Sequence, residues 1–341
     1  NNDLIISIKG KKKLKDQTEF FSISLKEKAN EIIVENLVMS KELNILNLKK
    51  AKVRYLDKNG LQNDYNITSK NNNYFLSGSF FNADSLLRTI MNDETETNVI
   101  KKKFNLDVKI DKLFFDKTYS LSNLRGNLSF NNQKILNGNL VGNFSNNKKL
   151  NLTIKTSGNE KITTLYLDKA EVLVNRYEFV KGFEEGILDF YSTKKNNESL
   201  STLKIYDFKL KELPVLTKLL TLASLQGVAD LLSGEGIRFN EFEMNFKNKD
   251  SLMTIDEIYA IGPAISILMN GYVEKEKLIS LRGTLVPATT LNKVIGSLPL
   301  IGNILVGKKT GEGVFGVSFK IKGPPKNLQP TVNPIKTLTP R

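Results

Sequence analysis

The sequence contains no cysteine, no histidine and no tryptophan in 341 residues. These absences exclude disulfides, thiol nucleophiles, imidazole bases and the usual Cys/His zinc sites. The acidic residues Asp93, Glu94, Glu96 and Glu184-Glu185 lack the spacing of a calcium loop or of a catalytic carboxylate pair. The sequence therefore predicts a protein that is not an enzyme and that holds neither a cofactor nor a metal.

The chain also lacks an uncharged run long enough to cross a bilayer, which requires about 20 residues. The charge-free segment Val294 to Gly307 is too short and contains Gly296, Pro299 and Gly302. It predicts two short amphipathic helices, Thr290 to Gly296 and Pro299 to Leu305, which either plug the end of a β core or form a tip that faces lipid. The candidate residues of this tip are Val294, Ile295, Leu298, Leu300, Ile301, Ile304 and Leu305.

Basic residues outnumber acidic ones, with 50 Lys and Arg against 36 Asp and Glu and a net charge of +14. The basic clusters Lys11 to Lys13, Lys101 to Lys103 and Lys148-Lys149 contain no aromatic residues between them. A single-stranded nucleic-acid site would place aromatic residues within the basic stripe. We therefore expect no nucleic-acid partner, and the charge either suits an acidic membrane surface or reflects composition alone.

Alternation of apolar and polar residues with a period of two is the most frequent pattern in the chain and predicts β-strands. The segments Phe104 to Ile110 and Phe315 to Ile321 alternate without a break, and Gly323-Pro324-Pro325 ends the second of them. We expect about 16 to 20 strands in an antiparallel meander, too many for one small barrel. Short helices are predicted at Ala83 to Met91 and at Lys169 to Val180, the second capped by Asp168.

The segment Leu213 to Ser233 is the most apolar and predicts a helix that begins at Pro214. Gly227 predicts either a bend in this helix or a second short helix from Val228 to Leu232. Apolar residues cover most of its circumference, so it is either buried on nearly all sides or lies against lipid. Its candidate apolar positions are Leu216, Leu219, Leu220, Leu222 and Leu225.

Each predicted strand has one apolar face, and several strands carry glycine on that face. Gly138 and Gly142 lie between Leu136, Leu140 and Phe144, a pattern that suits either a tight sheet contact or an open groove. Such apolar faces are expected either in a closed β-sandwich core or in the lining of a long groove. The candidate lining residues are Leu106, Val108, Leu136, Leu140, Phe144, Ile265, Ile267, Met269, Phe315, Val317 and Phe319.

Two segments resemble a known family. Leu203 to Phe246, which contains LKIYDFKLKELPVLTKLLTLASLQGVADLLSGEGIRF, is similar to the pattern LxIxDFxVxxAPVLAxLLSLASLxGxxDLLxGxGIxF. Arg282 to Ile335, with GTLVPATTLN, PLIGNILVG, GEGVFGVSFKIKGP and VNPI, is similar to the C-terminal region of the AsmA-like superfamily, in its YhdP-type, TamB-related branch. The resemblance is weaker from Phe80 to Leu200.

The resemblance implies a mainly β fold, an elongated and curved antiparallel sheet with a hydrophobic lumen and a few short amphipathic helices. It divides the chain into β-groove segments at 1–100 and 101–200 and a C-terminal region with apolar helices at 201–341. Because the chain begins with Asn inside a strand pattern, we expect it to be a fragment of a longer protein.

The same resemblance implies that the protein moves glycerophospholipids between the inner and outer membranes of a Gram-negative envelope. It would lie in the periplasm, anchored to the inner membrane by a segment outside this chain, with phospholipid as its ligand and envelope proteins as possible partners. The alternative is an envelope scaffold or outer-membrane assembly factor with a closed β core that conducts no lipid.

Overall fold

A computed structural model of the protein describes residues 4–13, 16–84, 87, 103–131, 134–176, 181–287, 316–325 and 327–333. The chain divides into two compact units, residues 1–165 and 166–341. Both are built mainly from antiparallel strands, and the predicted fold class is confirmed. The described residues form 19 strands, within the range that the sequence predicts. The boundaries near residues 100 and 200 stay predictions.

The first unit contains ten strands, and β11 crosses its boundary with the second unit. From β1 to β10 each strand pairs with the next one along the chain. The bounds are β1 Ile5–Lys13, β2 Gln17–Glu27, β3 Asn30–Ser40, β4 Ile45–Leu56, β5 Gln62–Lys70, β6 Asn73–Asn82, β7 Phe104–Phe114, β8 Ser120–Asn131, β9 Lys134–Asn143, β10 Lys149–Ser157 and β11 Glu160–Leu167, with a 3₁₀ turn at Ser145–Asn147.

One pair departs from the predicted antiparallel meander, because β6 and β7 run parallel. Parallel neighbours need a crossover connection of a dozen or more residues, and residues 83–103 supply that length. The Leu87 N–H donates to the Ala83 carbonyl at 2.9 Å, as in a helical turn. Most of the predicted helix Ala83 to Met91 lies outside the described residues.

The described part of the second unit contains eight strands, β12 to β19, and each pairs antiparallel with the next. The bounds are β12 Lys181–Lys195, β13 Glu198–Glu212, β14 Ile237–Lys249, β15 Leu252–Ile261, β16 Ile265–Glu274, β17 Leu278–Pro287, β18 Val317–Gly323 and β19 Gln329–Asn333. Three helices accompany them, α1 Glu171–Val174, α2 Pro214–Leu222 and α3 Gln226–Ser233.

The prediction of a helix from Lys169 to Val180 is wrong about the first helical residue and about the N-cap. Helix α1 is a single turn that begins at Glu171, and Ala170 at its N-cap makes no side-chain capping bond. Asp168 instead accepts a hydrogen bond from the Tyr166 hydroxyl at 2.7 Å. Val172 in this turn is buried.

Of the two alternatives for the apolar segment, the structure shows a second short helix, and the break between the two helices comes before Gly227. Helix α2 begins at Pro214, as predicted, and ends at Leu222. Ser224 takes a left-handed conformation with φ of 59°, and the Leu225 N–H donates back to the Leu220 carbonyl at 2.9 Å. The break is therefore made by Ser224, while Gly227 lies inside α3.

Asparagine forms several turns that the sequence pattern did not single out. Asn71 and Asn72 connect β5 to β6 with φ of 51° and 62°, the two left-handed residues of a type I′ turn. Asn59 and Gly60 lie in the longer loop between β4 and β5. There the Asp57 carboxylate accepts hydrogen bonds from the Asn59 and Leu61 N–H groups, both at 2.8 Å.

One face of the first unit is polar and carries ion pairs between neighbouring strands. Glu31 on β3 binds Lys26 on β2 at 2.9 Å and Lys52 on β4 at 3.0 Å. Hydrogen bonds from Lys26 and Lys52 lower the pKa of the Glu31 carboxyl from 4.5 to about 2. Opposite charges directly across antiparallel strands stabilise a sheet, so Glu31 joins three strands on the polar face.

Replacement of Gly126 by Ala is expected to destabilise the first unit by about 2–5 kcal/mol. Gly126 on β8 has φ of 146°, and an added Cβ would collide with the backbone of Asn139 on β9. Gly227→Ala is the matched control, because nothing lies within 4 Å of its Cβ position. Urea unfolding of both variants checks this, and equal stability of the two would contradict it.

Stability should depend less on pH in Glu31→Gln than in the unaltered protein. Because the folded pKa is depressed, the stabilisation by Glu31 is fully present above about pH 4.5 and is lost as the pH falls toward about 2. Urea midpoints across that range measure the slope, with Glu27→Gln on the adjacent strand as the control. An unchanged slope in Glu31→Gln would show that the ion pairs contribute nothing.

Candidate functional site

Apolar side chains align across the ten strands of the first unit, except on β8, where Gly126 occupies the position. In the strand register each member of one row lies opposite the next member on the neighbouring strand. We call this set the first apolar row, and its members are Ile8, Ile23, Val34, Ala51, Ile67, Leu76, Val108, Gly126, Leu140 and Leu152.

The row displaced by one residue along each strand lies on the other face, because alternate residues of a strand point to opposite faces. This second row is mainly polar. We call it the first polar row, and its members are Ser7, Ser24, Ile33, Lys52, Asn66, Ser77, Lys109, Arg125, Val141 and Asn151. The sheet of the first unit therefore has one mainly apolar face and one mainly polar face from β1 to β10.

Most of the first apolar row is only partly buried. Ala51 and Val108 are buried, with 6% and 7% of their surface exposed, while Ile8 at the β1 end is 59% exposed. The other side chains of the row are intermediate. A closed hydrophobic core would bury such residues almost completely. The row is therefore an apolar surface with room for contact by another apolar molecule.

The glycines between the candidate lining residues do not leave space. A Cβ at Gly138 would collide with the side chain of Leu128, and a Cβ at Gly142 would collide with that of Leu121. The neighbouring strand β8 thus fills both positions with leucine. Of the two alternatives that the sequence left open for these glycines, the structure shows the tight sheet contact.

The predicted lining residues of the first unit fall in different environments. Leu140 and Val108 belong to the first apolar row, and Leu106 lies beside it, opposite Leu128. Leu136 lies at an irregularity in the pairing of β8 with β9 and outside the row. Phe144 follows β9 and is buried, with its ring stacked on Phe115 at 6.0 Å between centroids.

A corresponding row crosses all eight strands of the second unit. Its members lie opposite one another in the register, and Gly283 is the single residue among them without a side chain. We call it the second apolar row, with members Phe190, Leu203, Met244, Ile258, Met269, Gly283, Phe319 and Val332. The predicted residues Met269 and Phe319 belong to it, and Ile267 and Val317 lie on the same face, each opposite Leu285.

The apolar face of the second unit is more deeply buried than that of the first. Ile265, Leu285 and Leu220 are fully buried, and Phe319 and Ile267 are nearly so. Around the second apolar row, Phe246, Ile255 and Ile258 form a core against which partly buried residues pack. Ile265, Ile267 and Phe319 are thus core residues, while Met269 and Val317 are half-buried.

The two apolar helices pack against other strands of the second unit, α2 against β19 and α3 against β13 and β14. Leu216, Leu219 and Leu220 of α2 are buried, and α2 contacts β19. The Lys218 ammonium donates to the Gln329 side-chain carbonyl at 3.1 Å. Leu225 is intermediate, whereas Leu222 is 49% exposed. One side of α2 is therefore packed against the sheet and the other carries an exposed leucine.

Phe315 and the whole predicted tip lie outside the described residues. The tip comprises Val294, Ile295, Leu298, Leu300, Ile301, Ile304 and Leu305. Within the part of the chain that the structure describes, no helix is long and apolar enough to cross a membrane, and no three or more Asp or Glu side chains cluster as they would around a metal ion.

The polar face of the second unit holds a hydrogen-bonded network on β13, β14 and β15. Glu243 accepts from the Lys204 ammonium at 2.8 Å and from the Tyr259 hydroxyl at 2.6 Å. Burial alone would raise the pKa of Glu243, but the hydrogen bonds from Lys204, Tyr259 and Asn245 lower it. Burial and the bond to Glu243 raise the pKa of Tyr259. The network fixes neighbouring strands and faces away from the apolar row.

Sequence reasoning missed most of the first apolar row. Ile23 and Ile67 alternate with polar residues in β2 and β5, so the period-two signal was present there, whereas Leu76 in β6 follows Phe75 directly. The local sequence does not specify the strand register. The register places these residues in line with Val108 and Leu140 on one face.

The chain has no significant match among known proteins in three comparisons. No protein-family model matches it, and neither the curated proteins nor the solved structures contain a significant match.

Proposed function

We propose that this protein binds phospholipids by their acyl chains along the apolar face of its sheet and moves them, without catalysis, between the two membranes of a Gram-negative envelope. The observation that supports this most is the first apolar row, which crosses ten strands and stays largely half-buried. The resemblance of Leu203 to Phe246 and of Arg282 to Ile335 to AsmA-like proteins supports the same function.

The size of the row suits acyl chains. Neighbouring strands lie about 4.8 Å apart, so nine steps from β1 to β10 give a path of about 43 Å along the sheet. One monolayer of a bilayer has a hydrocarbon depth of about 15 Å, half of the ~30 Å core. The row can therefore contact two or three acyl chains in succession.

The energetics suit movement along the row. Each methylene removed from water contributes about 0.8 kcal/mol, so a chain on the row is held strongly against escape into solvent. Successive members of the row are chemically alike, and a chain passing from one strand to the next exchanges one apolar contact for another. Binding is thus strong while the barrier between adjacent positions stays low, and no single residue is essential.

The proposed location follows from the ligand. A protein that carries phospholipid between two membranes would lie in the periplasm, and we propose an anchor in the inner membrane that is formed outside this chain. Its partners would be phospholipids, both membranes and other envelope proteins. The polar face, with ion pairs such as Arg54 to Asp64 at 3.4 Å, would remain in water.

A second candidate, an envelope scaffold, is favoured by the buried face of the second unit. Leu285 and Ile265 there are fully buried, as in an ordinary β core. In that case the second unit stabilises the assembly and contacts protein partners, and no lipid passes along it. The two candidates differ most in the first unit, where only lipid binding uses the half-buried row.

Leu140→Asp is expected to lower the amount of phospholipid bound by the first unit and to block its passage across β9 while the sheet survives, because a carboxylate interrupts the apolar row. Val141→Asp is the matched control, since Val141 is the next residue of β9, belongs to the polar row and is 44% exposed. Mass spectrometry of organic extracts from gently purified protein gives the moles of phospholipid per mole of chain.

The account predicts one or more phospholipids per chain in the unaltered protein and in Val141→Asp, and a loss in Leu140→Asp. Urea unfolding of both variants separates loss of lipid from loss of the fold. A folded, unaltered protein that carries no lipid would support the scaffold instead.

A further inference from the structure

A pocket of about 880 Å³ lies on the second unit across β15, β16, β17 and β18. Its polar lining residues belong to two rows of the register that point away from the second apolar row, one through Asn270, Arg282 and Lys320 and the other through Tyr272, Ser280 and Lys322. The proposed lipid-binding face does not use these side chains. The remaining lining residues are Leu252, Thr254, Ile255, Asp256, Gly271, Glu274 and Leu281.

The cations of this pocket lie next to one another, which is electrostatically unfavourable. Arg282 on β17 lies directly opposite Lys320 on β18, and like charges at directly opposite positions destabilise a sheet. Lys322 follows on the same face of β18. Among the described residues neither lysine forms an ion pair. A bound anion would convert this repulsion into attraction.

In the described part of the chain, neither of the two carboxylates that line the pocket forms an ion pair with these cations. Asp256 binds Lys247, which is outside the pocket lining, at 3.2 Å. Glu274 lies at the far end of β16, opposite Leu278 on β17. The pocket therefore keeps an excess of positive charge around Arg282, Lys320 and Lys322.

Arg282 is held in position by a neutral partner. Its Nε donates to the Asn270 side-chain oxygen at 3.0 Å, across the β16–β17 pair. This bond leaves the terminal guanidinium nitrogens without a partner in the described part of the chain, and they form the fork that matches phosphate oxygens. The hydroxyls of Ser280 and Thr254 add neutral donors to the same lining.

We propose that this pocket binds a phosphate group, with Arg282 as the oriented donor and Lys320 and Lys322 as flanking cations. The phosphate can belong to the headgroup of an anionic lipid in a membrane surface or to a free phosphate, and the chemistry of recognition is the same. The site is on the face of the second unit opposite the second apolar row, so it goes beyond the proposed movement of acyl chains. This site would bind the second unit to a phosphate-bearing ligand.

The test compares Lys320→Gln/Lys322→Gln with Lys194→Gln/Lys195→Gln, which removes the same charge from exposed positions at the end of β12. One arm titrates inorganic phosphate and follows backbone amide shifts by NMR. The other measures co-sedimentation with phosphatidylcholine vesicles that contain phosphatidic acid. We expect the first double variant to lose at least about tenfold in affinity and the second to lose little, because charge-assisted hydrogen bonds are strong.

The two arms separate the sources of the phosphate. A loss in the vesicle arm alone assigns a lipid headgroup, and a loss in the titration alone assigns free phosphate. Asn270→Ala keeps the charge of the pocket but removes the hydrogen bond that orients Arg282. It should therefore weaken binding in whichever arm the Lys320→Gln/Lys322→Gln variant affects. Equal behaviour of the two double variants in both arms would overturn the proposal. The count of extracted phospholipid should stay unchanged in Lys320→Gln/Lys322→Gln, which distinguishes this site from the apolar face.

Discussion

The strict alternation of side chains along each strand, kept in register from one strand to the next, is the constraint on which the rest of the structure depends. A shift of one residue at any pair would move every apolar side chain beyond it to the polar face. The ion pairs of Glu31 with Lys26 and Lys52, and the network around Glu243, fix this register from the polar side. Polar contacts on one face thus maintain the continuity of the apolar row on the other.

The two units use the same pattern in different ways. In the second unit the helices α2 and α3 and the core around Ile258 bury much of the apolar face, and this supplies stability. In the first unit the apolar row is half-buried and available for contact. The division suits the proposed function, which would reside in a continuous surface, and the substitutions that matter most would interrupt that surface.

The sequence predicted the fold class, the number of strands and individual elements such as the strand ending at Gly323 and the helix starting at Pro214, because these depend on local pattern. It did not predict the parallel pairing of β6 with β7, since strand direction depends on the crossover at residues 83–103. It placed Leu140 and Met269 on apolar faces correctly but could not separate them from Phe144 and Ile265, which are core residues. Whether a period-two residue is covered depends on neighbouring strands and helices, which the local sequence does not contain.

The central claim is that acyl chains lie on one face of the first unit, and photo-crosslinking tests it most directly. A phospholipid with a photoreactive group in its acyl chain would be bound, activated and located on the protein by peptide mass spectrometry. The account predicts crosslinks at alternate residues such as Ile67, Leu76 and Leu140, with none at Asn66, Ser77 or Val141 between them. Crosslinks distributed equally over both faces, or confined to the ends of the strands, would contradict it.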